Sequence, residues 1–300
     1  MFSVVSVLAS ELHWFFSLWV HFQIWFFGLS FLLFLFSLKE WRKAPLVFTT
    51  VVFSLLFHGL VVVTYLWPNS APKVRAEGSE QSFKVIFHNL NVANPRKSEV
   101  LSYMKNSSRD LLLFVEFNQS WARSLNELRS EYPYAKAIVL ENNFGMAAFS
   151  RTQLQVDRVY FEKERRIPAL FLTTEVQSQS LNIILFHPFP PFGRFGTLLR
   201  DQYLSSLSHR VRELKGPTIL CGDFNTTPWS SIFKEFLART QLKLAKSSPH
   251  LSTWEPISGL PGLPIDHCLT KGFAGVDLKV GKALGSDHRM LSMRVKFSPL

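Results

Sequence analysis

Two long apolar runs open the chain and set its first 67 residues apart from the rest. No Lys, Arg, Asp or Glu occurs from Leu12 to Leu38, and none from Ala44 to Trp67. Each run exceeds the roughly 20 apolar residues that a helix needs to cross a bilayer. Both runs carry Phe and Trp on every face, which a helix buried in a soluble core rarely does. The pattern predicts a membrane anchor over residues 1–67 with two transmembrane helices, about 12–38 and 44–67. A secretory signal peptide fits poorly, because nothing basic precedes the first run and the run is too long for an h-region.

Past the second run the period changes. Residues 68–82 are rich in Pro, Ser, Ala and charge and read as a linker. From Phe83 onward, short β-branched or aromatic runs bounded by turn residues alternate with helical spacings. Strands are predicted over Phe83–Asn89, Leu111–Glu116, Ala135–Leu140, Phe144–Ser150, Leu154–Phe161, Ala169–Glu175, Leu181–His187, Thr218–Gly222, Ile265–Leu269 and Met290–Phe297. Helices are predicted over Pro95–Lys105, Ser120–Glu131, Thr197–Leu214 and Pro228–Thr240. In the last of these, Thr227 reads as the N-cap and Pro228 as a first-turn residue. Residues 83–300 therefore read as one α/β domain. Many strands, few helices and several strands adjacent in sequence favour mixed sheets over a doubly wound parallel one.

Charge adds orientation. The loop Lys39-Glu40-Trp41-Arg42-Lys43 holds three basic residues, whereas the segment before the first run holds only Glu11. The positive-inside rule puts this loop in the cytoplasm and both ends of the chain outside, although Lys73 and Arg75 pull the other way. The formal net charge is +11; residues 1–70 hold three basic and two acidic side chains, which leaves +10 for the remainder. A basic exterior favours anionic partners, nucleic acid or anionic lipid; no protein partner can be read. The two cysteines, Cys221 and Cys268, sit in apolar runs and read as free and buried. A single bridge is the alternative open to a domain outside the cytoplasm.

Several polar residues follow or end apolar strands, where α/β folds usually carry their sites. They are Asn89, Glu116, His187, Asp223 with Asn225, Asp266 inside its strand, and Asp287 with His288. Taken singly, each has an ordinary explanation as a cap, a turn or a buried polar residue. Asp266 is harder to dismiss, since a carboxylate in an apolar strand needs a donor, and His288 is the natural one. The set matches what phosphodiester hydrolysis requires. A hard cation takes carboxylate and amide oxygens, which Glu116, Asn89 and Asp287 offer. The attacking water needs an orienting carboxylate, and Asp223 can serve. Asn225, His187 and His288 can donate to the phosphorane.

The ordered series Asn89, Glu116, His187-Pro188, Gly222-Asp223-Phe224-Asn225, Ile265-Asp266-His267 and Gly285-Ser286-Asp287-His288-Arg289 resembles the motif series of the endonuclease/exonuclease/phosphatase superfamily, the deoxyribonuclease I-like fold. The resemblance implies a four-layer α/β sandwich of two packed mixed β-sheets flanked by helices. It implies Mg²⁺ or Mn²⁺ on Glu116, with Asn89 and Asp287 nearby. Asp223 would activate or orient the water, and Asn225 would hold the water or a phosphate oxygen. His288 would contact the scissile phosphate while leaning on Asp266, and His187 would donate to the phosphate or leaving group. Asn91 competes with Asn89 for the strand-end role if the register slips by two; Asn89 is favoured. Asn118, Trp121, Tyr132-Pro133-Tyr134, Phe144-Gly145-Met146 and Arg200-Asp201 are similar to membrane-anchored bacterial members. There, Trp121 reads as core, and Arg200 and Asn118 as substrate-side residues.

Three functions compete. One is a membrane-anchored, metal-dependent phosphodiesterase acting on nucleic acid, which the basic domain favours. The second keeps the chemistry on a phospholipid, phosphoinositide or sphingomyelin-type head group, which a tether at the bilayer favours. The third is a non-catalytic binding module, which loss of a metal ligand or of the Asp/His set would favour; none is lost. The expected location is a bacterial inner membrane with the domain extracytoplasmic.

Overall fold

Several strands after the two runs are apolar on both faces, and such strands must be covered on both sides, which favours layered sheets. The computed structural model describes residues 2–8, 14–39, 41–66, 82–161, 167–245, 252–257 and 260–298. Most of the expected linker, with Lys73 and Arg75, lies outside the described residues. The N-terminal region comprises α1 (Phe2–Leu8), α2 (Trp14–Trp19), a 3-10 turn (Val20–Phe22), α3 (Gln23–Ser37) and α4 (Pro45–Leu66). Trp14–Ser37 and Pro45–Tyr65 are long and apolar enough to cross a membrane by length and composition. Several of their polar side chains pair with one another. His58 Nδ1 lies 2.6 Å from Gln23 Oε1, and Ser30 Oγ lies 2.8 Å from Ser54 Oγ.

After them come β1 (Ser82–Asn89), α5 (Lys97–Lys105), β2 (Leu111–Val115), α6 (Gln119–Ser124), β3 (Tyr134–Ile138), β4 (Met146–Ser150), β5 (Gln155–Phe161), β6 (Ile167–Val176) and β7 (Gln179–Phe186). The chain ends with α7 (Gly193–Arg212), β8 (Thr218–Asp223), α8 (Ser231–Thr240), β9 (Lys243–Leu244), β10 (Asp266–Lys271), β11 (Phe273–Val280) and β12 (Leu291–Phe297). One sheet has the order β11-β12-β1-β2-β4-β3, the other β5-β6-β7-β8-β10-β9. Only β1 with β2 and β7 with β8 run parallel among the described pairs, so both sheets are mixed.

Three cores make the four layers. Between the sheets lie Phe87, Leu113, Val115, Leu185 and Met293. Outside the first sheet, Phe114, Val100, Met104 and Trp121 join it to α5 and α6. Outside the second, Phe186, Phe224, Tyr203, Leu207 and Phe233 join it to α7 and α8. The fold is the expected deoxyribonuclease I-like sandwich, preceded by the two apolar helices.

Several local expectations are corrected. The helix expected over Ser120–Glu131 is α6 followed by a separate 3-10 segment, Asn126–Ser130. The last helix starts three residues late: Ser230, not Thr227, caps it by accepting from the Phe233 amide at 3.3 Å. Strands β9 and β11 add to the expected set. The cysteines are not free: Cys221 and Cys268 form a disulfide. They face each other across antiparallel β8 and β10 with their Cα atoms 4.2 Å apart, the close spacing of a non-hydrogen-bonded pair.

Candidate active site

The parallel strands β1, β2, β7 and β8 end at one edge of the sandwich, and their C-terminal residues supply most of the site. Asn89 ends β1 and is fully buried. Its Nδ2 donates to Glu116 Oε1 at 3.2 Å and to Asp223 Oδ2 at 3.2 Å, and lies 3.4 Å from His288 Nε2. Asn89, rather than Asn91, is thus the amide at the centre. Asn91 has a different place: it takes a left-handed φ of 57° and donates from Nδ2 to Asp287 Oδ1 at 2.8 Å.

Glu116 directly follows β2 with a φ of 59°. A left-handed backbone at a non-glycine residue costs about 1–2 kcal/mol, and it turns the carboxylate back toward the strand ends. There Oε2 accepts from the Val92 amide at 3.1 Å, leaving Oε1 beside Asn89.

The Asp223-Phe224-Asn225 segment is held from below. Phe224 is buried against Phe186, Phe233 and Phe236, with ring centroids 4.7, 5.1 and 5.5 Å away. The residues on either side turn the other way, into the site. Asp223 Oδ1 accepts from the Asn225 amide at 2.9 Å, and Asn225 takes a φ of 51°, a region that Asn tolerates. Gly222 is not there for the turn. It lies inside β8, and a Cβ would come within 2.6 Å of the Phe186 ring. The glycine lets β7 and β8 pack tightly under Asp223.

Two imidazoles flank Asp223. His187 Nε2 is 3.4 Å from Asp223 Oδ2, and its Nδ1 donates to the Asn143 carbonyl at 2.9 Å. Asn225 Nδ2 lies 3.3 Å from His187 Nε2 and donates to the Pro188 carbonyl at 3.1 Å. His288 Nε2 is 3.7 Å from Asp223 Oδ2, and its Nδ1 donates to Asp266 Oδ2 at 2.8 Å. The expected Asp266–His288 pair therefore exists. Burial pushes Asp223 toward its neutral form, but the His187 hydrogen bond and the two imidazoles outweigh it and hold the carboxyl below its usual range. Burial also acts against a charged His288, yet Asp266 and Asp223 raise it to about 10. The site thus presents an ionised carboxylate between two hydrogen-bond donors.

The His288 turn is fixed from several sides. Ser286 Oγ donates to the Asn89 carbonyl at 2.9 Å and accepts from the His288 amide at 3.0 Å. Gly285 has a φ of 88°, and a Cβ there would meet Asn94 Oδ1 at 2.5 Å. Asp287 accepts from Asn91 and, through Oδ2, from Trp254 Nε1 at 2.9 Å. Trp254 is not among the expected residues. It sits in a loop without periodicity, so nothing in the pattern marks it.

Two expected substrate-side residues lie elsewhere. Arg200 is 1% exposed and sits behind the site. It ion-pairs with Asp201 at 2.8 Å, donates to the Asn225 carbonyl at 3.1 Å, and lies 3.4 Å from His21 Nε2 of the N-terminal helices. His21 Nδ1 in turn is 2.9 Å from Thr227 Oγ1. Asn118 caps α6 by accepting from the Trp121 amide at 3.0 Å. Trp121 is core, as expected, and its Nε1 donates to the Asn91 carbonyl at 3.1 Å.

The donor set fits a divalent cation. Glu116, Asp223, Asp266 and Asp287 converge here against two imidazoles, so negative charge is in excess even with both rings protonated. Ligand atoms of Asp223, Asp266 and His288 come within 4.8 Å of one another. Two of those groups are already bonded to each other, so the hard oxygens around Glu116 are the better fit.

The model of the Endonuclease/Exonuclease/phosphatase family matches residues 86–288, a span that holds the whole cluster from Asn89 to His288. A UPF0294 protein of Vibrio cholerae serotype O1 is 30% identical over 106 residues, a match spanning 34% of this chain and only 36% of that protein. Among solved structures, truncated Caenorhabditis elegans TDP2 superposes with a TM-score of 0.60 at 17% identity, over 72% of this chain and 98% of that one. Sphingomyelinase C from Streptomyces griseocarneus gives 0.60 at 14% identity, over 72% and 99%. A mutant beta toxin from Staphylococcus aureus with bound magnesium ions gives 0.59 at 15% identity, over 72% and 100%. These structures share the fold, and the family match extends over the site itself: the chain belongs to the Endonuclease/Exonuclease/phosphatase family.

Proposed function

We propose that this protein is a membrane-anchored, divalent-metal-dependent phosphoesterase that hydrolyses phosphodiester bonds. Residues 83–300 form its catalytic domain and residues 1–67 its anchor. The observation that carries the reading is the Asn89 amide, which touches Glu116, Asp223 and His288 at once. A cation site, a water-orienting carboxylate and a phosphate-contacting imidazole are thereby fixed within one hydrogen-bonded cluster.

Glu116 would hold Mg²⁺ or Mn²⁺, with Asn89 and Asp287 beside it. When bound, such an ion polarises the phosphoryl oxygen and neutralises its charge. Asp223 is ionised and aims the attacking water by accepting its proton as a hydrogen bond. Asn225 holds the water or a phosphate oxygen through Nδ2. His288, kept protonated by Asp266, donates to the phosphate, and His187 donates to the phosphate or the leaving oxygen.

The bridge between Cys221 and Cys268 supports an extracytoplasmic domain, since disulfides persist in oxidising compartments. The basic loop around Arg42 supports the same topology, consistent with a bacterial inner membrane. The substrate is either nucleic acid, favoured by the basic exterior, or a phospholipid head group, favoured by the anchor. Purified full-length protein should turn over bis(p-nitrophenyl) phosphate and at least one of DNA, RNA, sphingomyelin or phosphoinositide with Mg²⁺. Undiminished turnover in EDTA would refute the metal mechanism, and no turnover of any of them would leave the binding-module reading in its place.

A further inference from the structure

The N-terminal helices meet the catalytic end of the sandwich, and that meeting point fixes how deep this end sits. α2 lies against α7, His21 bonds Thr227, and Tyr65 packs edge-on against Trp229 at 5.5 Å. Val20 and His21 are buried there. One face of residues 14–22, with Val20 and His21, is therefore taken up by contact with the domain, while Phe15, Trp19 and Phe22 stay exposed. The part beyond, α3, has 15 residues and measures about 22 Å at 1.5 Å per residue. A hydrocarbon core is about 30 Å thick. The second helix, α4, has 22 residues, about 33 Å, and ends beside Trp229. For both helices to cross one bilayer, the part of the domain touching residues 14–22 has to sit at headgroup level.

That part is the site end. Thr227 and Trp229 follow Asp223 and Asn225 in the same loop, and α7 begins just after His187. It carries the surface such a position needs. Phe192 is 81% exposed, Phe195 56% and Leu198 46%. They recur at i, i+3 and i+6, away from the buried Gly196, Leu199 and Arg200. Arg194, also exposed, stands among them. Aromatic and aliphatic side chains on one face with a basic residue beside them suit the boundary between headgroups and acyl chains.

We propose that the first turns of α7 are a third membrane contact. Phe192, Phe195 and Leu198 enter the headgroup–acyl boundary, Arg194 reaches lipid phosphates, and the active site is held at the bilayer surface. The inference rests on the reading of the two apolar helices as membrane spans, and the test separates the two. Both native cysteines are in the disulfide, so an introduced cysteine is the single free thiol for a nitroxide. Full-length Phe192→Cys, Leu198→Cys, Lys215→Cys and Leu29→Cys proteins are labelled in nanodiscs of phosphatidylcholine and phosphatidylglycerol. Depth is read from collision with oxygen against a water-soluble nickel chelate. Leu29 lies within α3 and reports the span; Lys215 lies past the far end of α7 and reports water. Labels at 192 and 198 should read about 5–10 Å below the headgroups, shallower than 29 and far from 215. Labels at 192 and 198 as aqueous as 215, with 29 deep, overturn the contact and leave the anchor standing. A label at 29 as aqueous as 215 overturns both. The readout involves no turnover, so it stands or falls apart from the phosphoesterase chemistry.

Discussion

The two sheets bring different halves of the site. The β1/β2 sheet supplies Asn89 and Glu116 from strand ends, and its β11–β12 turn supplies Asp287 and His288. This half is rich in oxygen donors, with Glu116 on a strained backbone. The β7/β8/β10 sheet supplies His187, Asp223 and Asn225, which are bonded to one another, and Asp266, whose side chain reaches across to His288. Three contacts cross between the halves: Asn89 donates to Asp223, and His288 reaches both Asp266 and Asp223. The site therefore depends on how the sheets pack. Core residues between them, Leu113 and Leu185 for example, set the distance across which Asn89 and His288 must reach.

The comparison can be broken most severely at Asp223. A positioned carboxylate of this kind supplies about 10²–10⁴-fold in rate. Asp223→Asn should lower kcat by that order, with KM and thermal stability nearly unchanged. A stable variant with undiminished kcat would reduce Asp223 to a turn-forming residue. On the oxygen-rich half, Glu116→Gln keeps the shape and removes the charge. It should raise the Mg²⁺ concentration for half-maximal turnover by at least the roughly 10–100-fold seen when residues supporting a metal site are changed. Excess metal should restore part of the rate, whereas it should not rescue Asp223→Asn. An unchanged metal requirement would move the cation elsewhere.

The crossing contact is tested by Asp266→Asn and His288→Ala, singly and together. Groups bonded at 2.8 Å should couple by about 0.5–3 kcal/mol in a double-mutant cycle on kcat/KM. Additive effects would mean that the sheets act independently. The smallest effect on turnover is expected from the disulfide, which staples only the second half. Replacing Cys221 and Cys268 by Ala should lower stability by about 2–4 kcal/mol, read by denaturant titration, with kcat little altered. A large loss of kcat at temperatures where the variant stays folded would give the bridge a part in shaping the site.

Much of this arrangement is legible in the sequence. Charge-free runs mark the apolar helices, and strands such as Leu111–Val115 announce themselves because both faces are apolar. Polar residues at the ends of such strands stand out for the same reason, which is why Asn89, Glu116, His187 and Asp223 emerge together. Most of what escapes lacks a period. Strand β11 is the exception: Val276, Leu278 and Val280 alternate with Asp277 and Lys279 as in a strand with one buried face, but the alternation is short and a bulge between Phe273 and Gly275 breaks its start. Trp254 reaches Asp287 from an irregular loop. The Cys221–Cys268 pair joins strands far apart in the chain, and register across a sheet is not written in either strand alone. Arg200 misleads because a basic residue near a motif looks like a phosphate ligand. Its partner His21 is hidden inside an apolar run that composition marks only as membrane.

The seam between the helices and the domain governs how the protein can be handled as a reagent. Cutting between Leu66 and Ser82 to obtain a soluble enzyme is the obvious shortcut. It would uncover Arg200, which is 1% exposed in the intact chain, and Trp229, which is 4% exposed. The fragment would carry a raw, adhesive face directly behind the loop that holds Asn225. Sluggish or aggregating fragments would then report on the cut rather than on the chemistry. Preparations of the whole chain are the proper starting material for kinetics, inhibitor screens and crystallisation alike.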